Sequence, residues 1–137
     1  MRFLAWHVEH VSLTPTEKGR SAVVEKAEPV KAENALLVFA NFEKSDEMHQ
    51  DEVVAKAAAE IASIAAQLKV TSIVLNPFAH LFADPSKPEV AISMLSMLQT
   101  QLAQKNLNVQ KLAFGMFYEM DLKAKGHRLS RIARNIN

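Results

Sequence analysis

His80 is the side chain in this sequence best placed for chemistry. It stands in TSIVLNPFAHL, Thr71 to Leu81, just past Pro77. An imidazole changes charge near neutral pH, so from such a loop it could orient a substrate amine or a water. The plainer reading is a loop histidine that only hydrogen-bonds backbone. His7, Glu9 and His10 are metal-ligand types, but in a strand residues 7 and 9 share a face while 10 points the other way. A strand end at the surface is the simpler expectation for them. Lys123, Lys125, His127, Arg128, Arg131 and Arg134 are the local basic surplus. They could contact phosphates without reading bases, or form the solvated face of an amphipathic helix.

Several reaction classes are disfavoured by what the chain lacks. It has no cysteine, hence no disulfide, thiol nucleophile or thiolate metal site. HExxH, Walker, GxGxxG and GxSxG patterns are also missing, which argues against a metalloprotease, an NTPase, a dinucleotide enzyme and a standard serine hydrolase.

His80 needs an element to hold it. Ile73, Val74 and Leu75 form a continuous apolar run, the pattern of a strand covered on both faces. Pro77 cannot donate to a ladder, so pairing should end there and leave the loop at the strand's carboxyl end, where α/β structures place pockets. Ala35 to Phe42 reads as its neighbour and Arg2 to Val11 as a further strand. Thr14 to Gly19 reads as turn material and Ser21 to Lys26 as an edge strand.

Two helices are expected, at Asp51 to Lys69 and Pro88 to Lys105. In the first, Val54, Ala57, Ala58, Ile61, Ile64, Ala65 and Leu68 share a face; in the second, Ala91, Met94, Leu95, Leu98 and Leu102 do. Pro88 suits a first turn and Glu89 the positive end of the helix dipole. Val109 to Lys125 reads as one extended segment, with Gly115 as a bulge or a point of close backbone approach. Arg128 to Ile136 reads as a short basic helix with Arg128, Arg131 and Arg134 outward. Met94, Met97 and Met116 are expected to fill core gaps.

The predicted class is therefore α/β: one domain, residues 1–137, with a mixed β-sheet, two main helices and a short C-terminal helix. At 137 residues and 49% hydrophobic the chain can bury a core, and a net charge of +1 gives no global pull toward nucleic acid. No apolar run approaches the roughly 20 residues of a membrane span, and a soluble, cytoplasmic domain is expected. The abrupt stop at Asn137 is the pattern of a boundary cut from a longer protein.

Four ordered motifs narrow this. PFAHL at Pro77 to Leu81, KPEVAISML at Lys87 to Leu95, AFGMF at Ala113 to Phe117 and KGHRLSRIAR at Lys125 to Arg134, with the RFLAWH opening, resemble the N-terminal editing domain of archaeal threonyl-tRNA synthetases. The resemblance spans nearly the whole chain. It implies a D-aminoacyl-tRNA deacylase-like fold, a homodimer, no cofactor or metal, and hydrolysis of serine wrongly esterified to tRNA(Thr) while threonyl-tRNA(Thr) is spared.

Site residues follow from the same resemblance. His80 and the Ala79 backbone would place the substrate. Asn41, Phe42, Pro77 and Phe78 would form the pocket, and Phe117 and Tyr118 would line the entry of the terminal adenosine. Lys123, Lys125, Arg128, Arg131 and Arg134 would face the tRNA acceptor 3′ end. Family resemblance also implies that the tRNA's terminal 2′-hydroxyl helps activate water. The synthetase's catalytic part would lie on the same chain or a separate one, with no membrane involved.

The chain departs from the family pattern at two positions. Better-known members carry Tyr-Lys where this sequence has Phe117-Tyr118, and a glutamate where it has Arg131. No side-chain lysine or glutamate is then available at those positions, which favours the RNA-assisted route. A D-aminoacyl-tRNA deacylase and a non-catalytic docking or dimerisation module are the rival readings.

Overall fold

The computed structural model describes residues 1–82 and 84–137. A curled six-stranded sheet is built from β1 (Arg2–Lys18), β2 (Val30–Asn41), β3 (Ser72–Pro77), β4 (Asn108–Lys111), β5 (Met116–Ala124) and β6 (Arg131–Asn135). Two helices, α1 (Gln50–Leu68) and α2 (Pro88–Ala103), follow β2 and β3. The strand order is β4-β3-β2-β1-β5, with β6 also on β1. The β2–β3 and β3–β4 pairs are parallel and all pairs involving β1 are antiparallel, so the expected mixed sheet with two main helices is present.

The apolar run of β3 behaves as its composition requires. Ile73 and Leu75 enter the helix-side core and Val74 the core on the other face, all three at 0% exposure. Pairing ends at Pro77, opposite Ala40 of β2. On α1 the alanines Ala57, Ala58 and Ala65 are buried, and their small side chains let the helix backbone approach the sheet. Lys69 closes that helix in the left-handed region, its N–H returning to the Ala65 and Ala66 carbonyls. Pro88 occupies the first turn of α2, where its missing N–H has no partner to lose. Among the described residues no helix is long and apolar enough to cross a membrane.

β1 is longer than expected and serves two partners on one side. Residues 2–6 pair β6, and residues 8–18 pair β5 after a register shift between Val8 and His10. Thr14 to Gly19 is therefore mostly strand rather than turn. Pro15 fits because the ladder is irregular between Pro15 and Glu17, where a missing donor costs little. Ser21 to Lys26 forms no strand. Its backbone is satisfied outside any ladder instead, Val23 N–H by the nearby Ser21 hydroxyl and Glu25 N–H by the distant Phe114 carbonyl.

The expected single segment from Val109 to Lys125 is two strands with a turn between them, and Gly115 marks the break at φ 79°. The C-terminal helix is absent: residues 131–135 are β6, adding to the edge left free beside Arg2 to Trp6. Ile132 and Ile136 fit a period of two as well as a helix, and the open edge of β1 settles the choice. Ile132 and Ile136 reach the main core.

His7 is no surface strand end either. It is 5% exposed, with Nδ1 2.9 Å from His127 Nε2 and Nε2 2.9 Å from Asn34 Oδ1. Leu129 N–H donates to His127 Nδ1, so a chain of neutral tautomers satisfies every link. Glu9 and His10, in contrast, are exposed.

Both chain ends meet beside the end of β2. The Met1 ammonium contacts Asp46 Oδ2 at 2.7 Å and Glu43 Oε2 at 3.3 Å, and donates to the Ile136 carbonyl at 3.2 Å. Asp46 Oδ2 also accepts Glu43 N–H at 2.7 Å. This network fixes the segment that leaves Asn41 and Phe42, and so one side of the loop described next.

Candidate active site at the carboxyl ends of β3 and β4

Where β3 ends, Phe78 N–H donates to the Ala40 carbonyl at 2.9 Å and Leu81 N–H to the Phe78 carbonyl at 3.2 Å. The chain thus turns immediately after Pro77. Asn41, 2% exposed, supports this turn from inside. With its amide nitrogen directed inward it donates to the Ala79 carbonyl at 3.2 Å and the Phe42 carbonyl at 3.3 Å; in the reverse orientation its oxygen would face only acceptors. Ser86 N–H returns to the Phe42 carbonyl at 2.9 Å, holding the far end of the loop. Among the described residues the N–H groups of Ala79 and His80 have no partner. Two adjacent free donors of this kind suit an anion or an oxyanion.

The opposite wall is the turn between β4 and β5. Leu112 N–H donates to the Leu75 carbonyl at 2.9 Å, which ties the turn to the end of β3. Phe114 N–H donates to Glu25 Oε1 at 3.0 Å and Glu25 N–H to the Phe114 carbonyl at 3.0 Å. Lys111 Nζ lies 3.5 Å from the other Glu25 oxygen. Gly115 requires glycine, since a Cβ there would meet the Val23 carbonyl oxygen at 2.8 Å in a left-handed conformation. The close backbone approach expected of it is the one realised. Gly19 N–H closes the wall on the Gly115 carbonyl at 2.7 Å.

Between the walls lies an outer cleft of about 380 Å³, within the range of small-ligand sites. Pro77, Ala79, His80, Pro85, Phe114 and Phe117 line it, with Gly19, Arg20, Ser21 and Met116 at the β1–β5 side. A much smaller inner recess of about 10 Å³ shares the Pro77, Ala79, Pro85, Ser86 and Phe114 walls. Asn41, Phe42 and Phe78 also line it, and Ala91 and Leu95 of α2 close its floor. Its volume corresponds to about one water-sized group.

The predicted pocket residues Asn41, Phe42, Pro77, Phe78, Ala79, His80 and Phe117 are therefore brought together around these two compartments. Tyr118 is not among them. Strand alternation sends it to the other face of β5, where its hydroxyl accepts Ala113 N–H at 2.9 Å and its ring packs on the second core. Met116 lines the cleft instead of filling a core gap. Arg20, Ser86 and Glu25 had no motif to mark them, and Phe114 stood inside AFGMF without being assigned to the site. Only the turn chemistry around Gly19 and Gly115 hinted that these segments meet.

The basic residues do not share one face. Lys123 lies toward the far end of β5, roughly 20 Å from Met116 at about 3.3 Å per residue. It pairs with Glu9 at 3.2 Å, and its hydrogen bond and charge hold the exposed Glu9 carboxyl below the ordinary range. Arg134 points to the helix side and pairs with Glu60 of α1 at 2.7 Å. Arg131, on the opposite face of β6, lies 5.6 Å over the Trp6 ring. Arg128 is exposed in the turn before β6, and Lys125 is half-buried, its N–H on the His7 carbonyl at 2.9 Å.

Comparison with known proteins adds the family. The family described as the archaea-specific editing domain of threonyl-tRNA synthetase matches residues 1–136. A threonine–tRNA ligase of Thermococcus onnurineus is 33% identical over 139 residues, covering 99% of this chain and 22% of the ligase. That of Methanosphaerula palustris is 35% identical over 140 residues, with the same two shares. The chain thus spans about a fifth of the length of these relatives.

A solved structure of a c-Myc DNA unwinding element binding protein superposes with a TM-score of 0.73 at 13% identity, covering 100% of this chain and 99% of that one. This shows that the two chains share a fold. With a match over residues 1–136 and full-length similarity to the leading part of archaeal ligases, the chain belongs to the archaea-specific editing domains of threonyl-tRNA synthetase, which are deacylating proofreading hydrolase domains.

Proposed function

We propose that the domain hydrolyses the ester of L-serine mischarged on tRNA(Thr), spares threonyl-tRNA(Thr), and uses the terminal 2′-hydroxyl of the tRNA to assist the attacking water. The observation that carries this is the pairing of a 380 Å³ cleft with a 10 Å³ recess behind it. A synthetase site sized for threonine cannot strongly reject serine, because one methyl is worth only about 1–3 kcal/mol. A second, smaller compartment admits the hydroxymethyl group of serine and meets the extra methyl of threonine with protein atoms.

The terminal adenosine occupies the outer cleft beside Phe117, and the aminoacyl ester lies at Ala79 and His80. Their free N–H groups stabilise the oxyanion that forms as water adds to the ester carbonyl. His80 faces the amine or hydroxyl of the amino acid. Among the described residues no lysine, aspartate or glutamate lines either compartment. That supports a route in which the RNA, rather than a carboxylate or an ammonium, assists the water.

The same observation favours a second reading, a non-catalytic module that only holds the tRNA end. Partners in either reading are the tRNA(Thr) acceptor 3′ end, a second copy of the chain, and the rest of a threonyl-tRNA synthetase on the same or a separate chain. Contacts to the tRNA from Lys125, Arg128 and Arg131 belong to this proposal, with Lys123 and Arg134 already engaged by Glu9 and Glu60.

The test is deacylation of seryl-tRNA(Thr) with adenosine or 2′-deoxyadenosine at the 3′ end. Serine release that collapses with the 2′-deoxy substrate supports the account. Release that persists would assign the water to a protein group, and no release from the native substrate would leave the docking module.

A further inference from the structure

One residue of the outer cleft has no role in the reaction as described. Arg20 lines the cleft on the segment just after β1 and is exposed. Among the described residues its guanidinium enters no ion pair, whereas Lys123 and Arg134 are each held by a carboxylate. Among the described residues it is, apart from His80, the one ionisable side chain on the lining, and no carboxylate there offsets it. Its backbone is anchored as well. The preceding residue, Gly19, donates to the Gly115 carbonyl at 2.7 Å, and a Cβ at Gly19 would stand 3.1 Å from that oxygen. The guanidinium therefore hangs from a fixed point on the rim. On the same lining Phe117 leaves 58% of its surface exposed.

A lone guanidinium beside an exposed aromatic ring, over a cleft free of negative charge, has the chemistry of a nucleotide site. Arginine's planar donors match two phosphate oxygens, and a base stacks on an aromatic face whatever its identity. We propose that Arg20 binds the phosphodiester on the 5′ side of the terminal adenosine while the base lies against Phe117, so that the aminoacyl end is directed to Ala79 and the recess. This rests on the editing reading for the identity of the nucleotide. Lys123 cannot serve, since it stands roughly 20 Å farther along β5. Arg20 is thus a positioning residue.

The experiment is a titration of the domain with adenosine 5′-monophosphate and with adenosine, followed by NMR, for the parent chain and for Arg20→Gln, Arg20→Lys and Phe117→Ala. The parent should bind the monophosphate at least about tenfold tighter than the nucleoside, as a charge-assisted hydrogen bond requires. Arg20→Gln should abolish the difference, Arg20→Lys should keep part of it, and Phe117→Ala should weaken both probes alike. Equal binding of the two probes by the parent, or a preference that survives Arg20→Gln, would overturn the assignment. In deacylation, Arg20→Gln should raise KM for seryl-tRNA at least about tenfold with little change in kcat, since a bound phosphate is common to ground and transition states. A phosphate preference lost in Arg20→Gln, in a domain that releases no serine, would uphold this site and sink the editing reading. Serine release without any phosphate preference would do the reverse.

Discussion

Glu25 and Phe114 hold each other by two hydrogen bonds of 3.0 Å, backbone N–H to carbonyl in one direction and backbone N–H to carboxylate in the other. The residues are far apart in sequence, and their clasp turns an irregular segment into the brace of the cleft wall. Breaking it leaves Phe114 N–H without its acceptor, at a cost of about 1–3 kcal/mol. Glu25→Ala should therefore lower Tm and speed hydrogen exchange at the amides of Ala113 and Phe114. Glu25→Gln, which keeps an oxygen for Phe114, should lose less. Equal Tm losses in the two variants would show that the acceptor oxygen is not what matters.

Phe117 and Tyr118 are neighbours on β5 with opposite duties. Tyr118→Phe deletes a hydrogen bond to Ala113 N–H and should cost about 1 kcal/mol in chemical denaturation. Its deacylation kinetics should stay near parental. Phe117→Ala, at a surface-exposed position, should leave stability within about 0.5 kcal/mol and raise KM. The reversed pattern would place the wrong face of β5 toward the cleft.

Leu95 closes the floor of the inner recess, whereas Leu98, one turn later on α2, lies only in the core. Either leucine replaced by alanine should cost about 2–5 kcal/mol. Only Leu95→Ala enlarges the recess, so only it should raise hydrolysis of threonyl-tRNA relative to seryl-tRNA. If Leu98→Ala relaxes the preference equally, general softening rather than recess size sets it.

His80 has no protein partner holding its ring among the described residues, so its replacement tests function with little structural noise. His80→Ala should leave Tm within about 1 °C of the parent, as expected for an exposed loop side chain. Serine release or the serine–threonine preference should fall. Unchanged rates on both substrates would remove the imidazole from the site.

The sequence was most informative where one period dominates. Ile73 to Leu75 could only be a strand buried on both faces, and the alanine-rich face of α1 and the stripe of α2 each had a single reading. Pro77 marked the end of pairing, and with it the loop that carries Ala79 and His80. Legibility failed where a segment's structure is set by a distant partner. Residues 131–135 satisfy helix and strand alike until β1 offers them a free edge. Residues 14–18 look like a turn until β5 lies alongside. Tyr118 was assigned to the cleft with Phe117, whereas its side chain turns to the other face of β5 and packs on the second core. Arg20 and Glu25 carried no local signal, because their importance comes from Phe114 and Gly115 nearly a hundred residues later.

The central claim is that a recess about one water in volume separates serine from threonine. Its most direct test is single-turnover deacylation of seryl-tRNA(Thr) and threonyl-tRNA(Thr) by this domain under identical conditions. Serine released at least about tenfold faster, the lower bound of what one methyl commands in a fitted pocket, is the predicted result. Equal release of the two amino acids, or faster release of threonine, would contradict it.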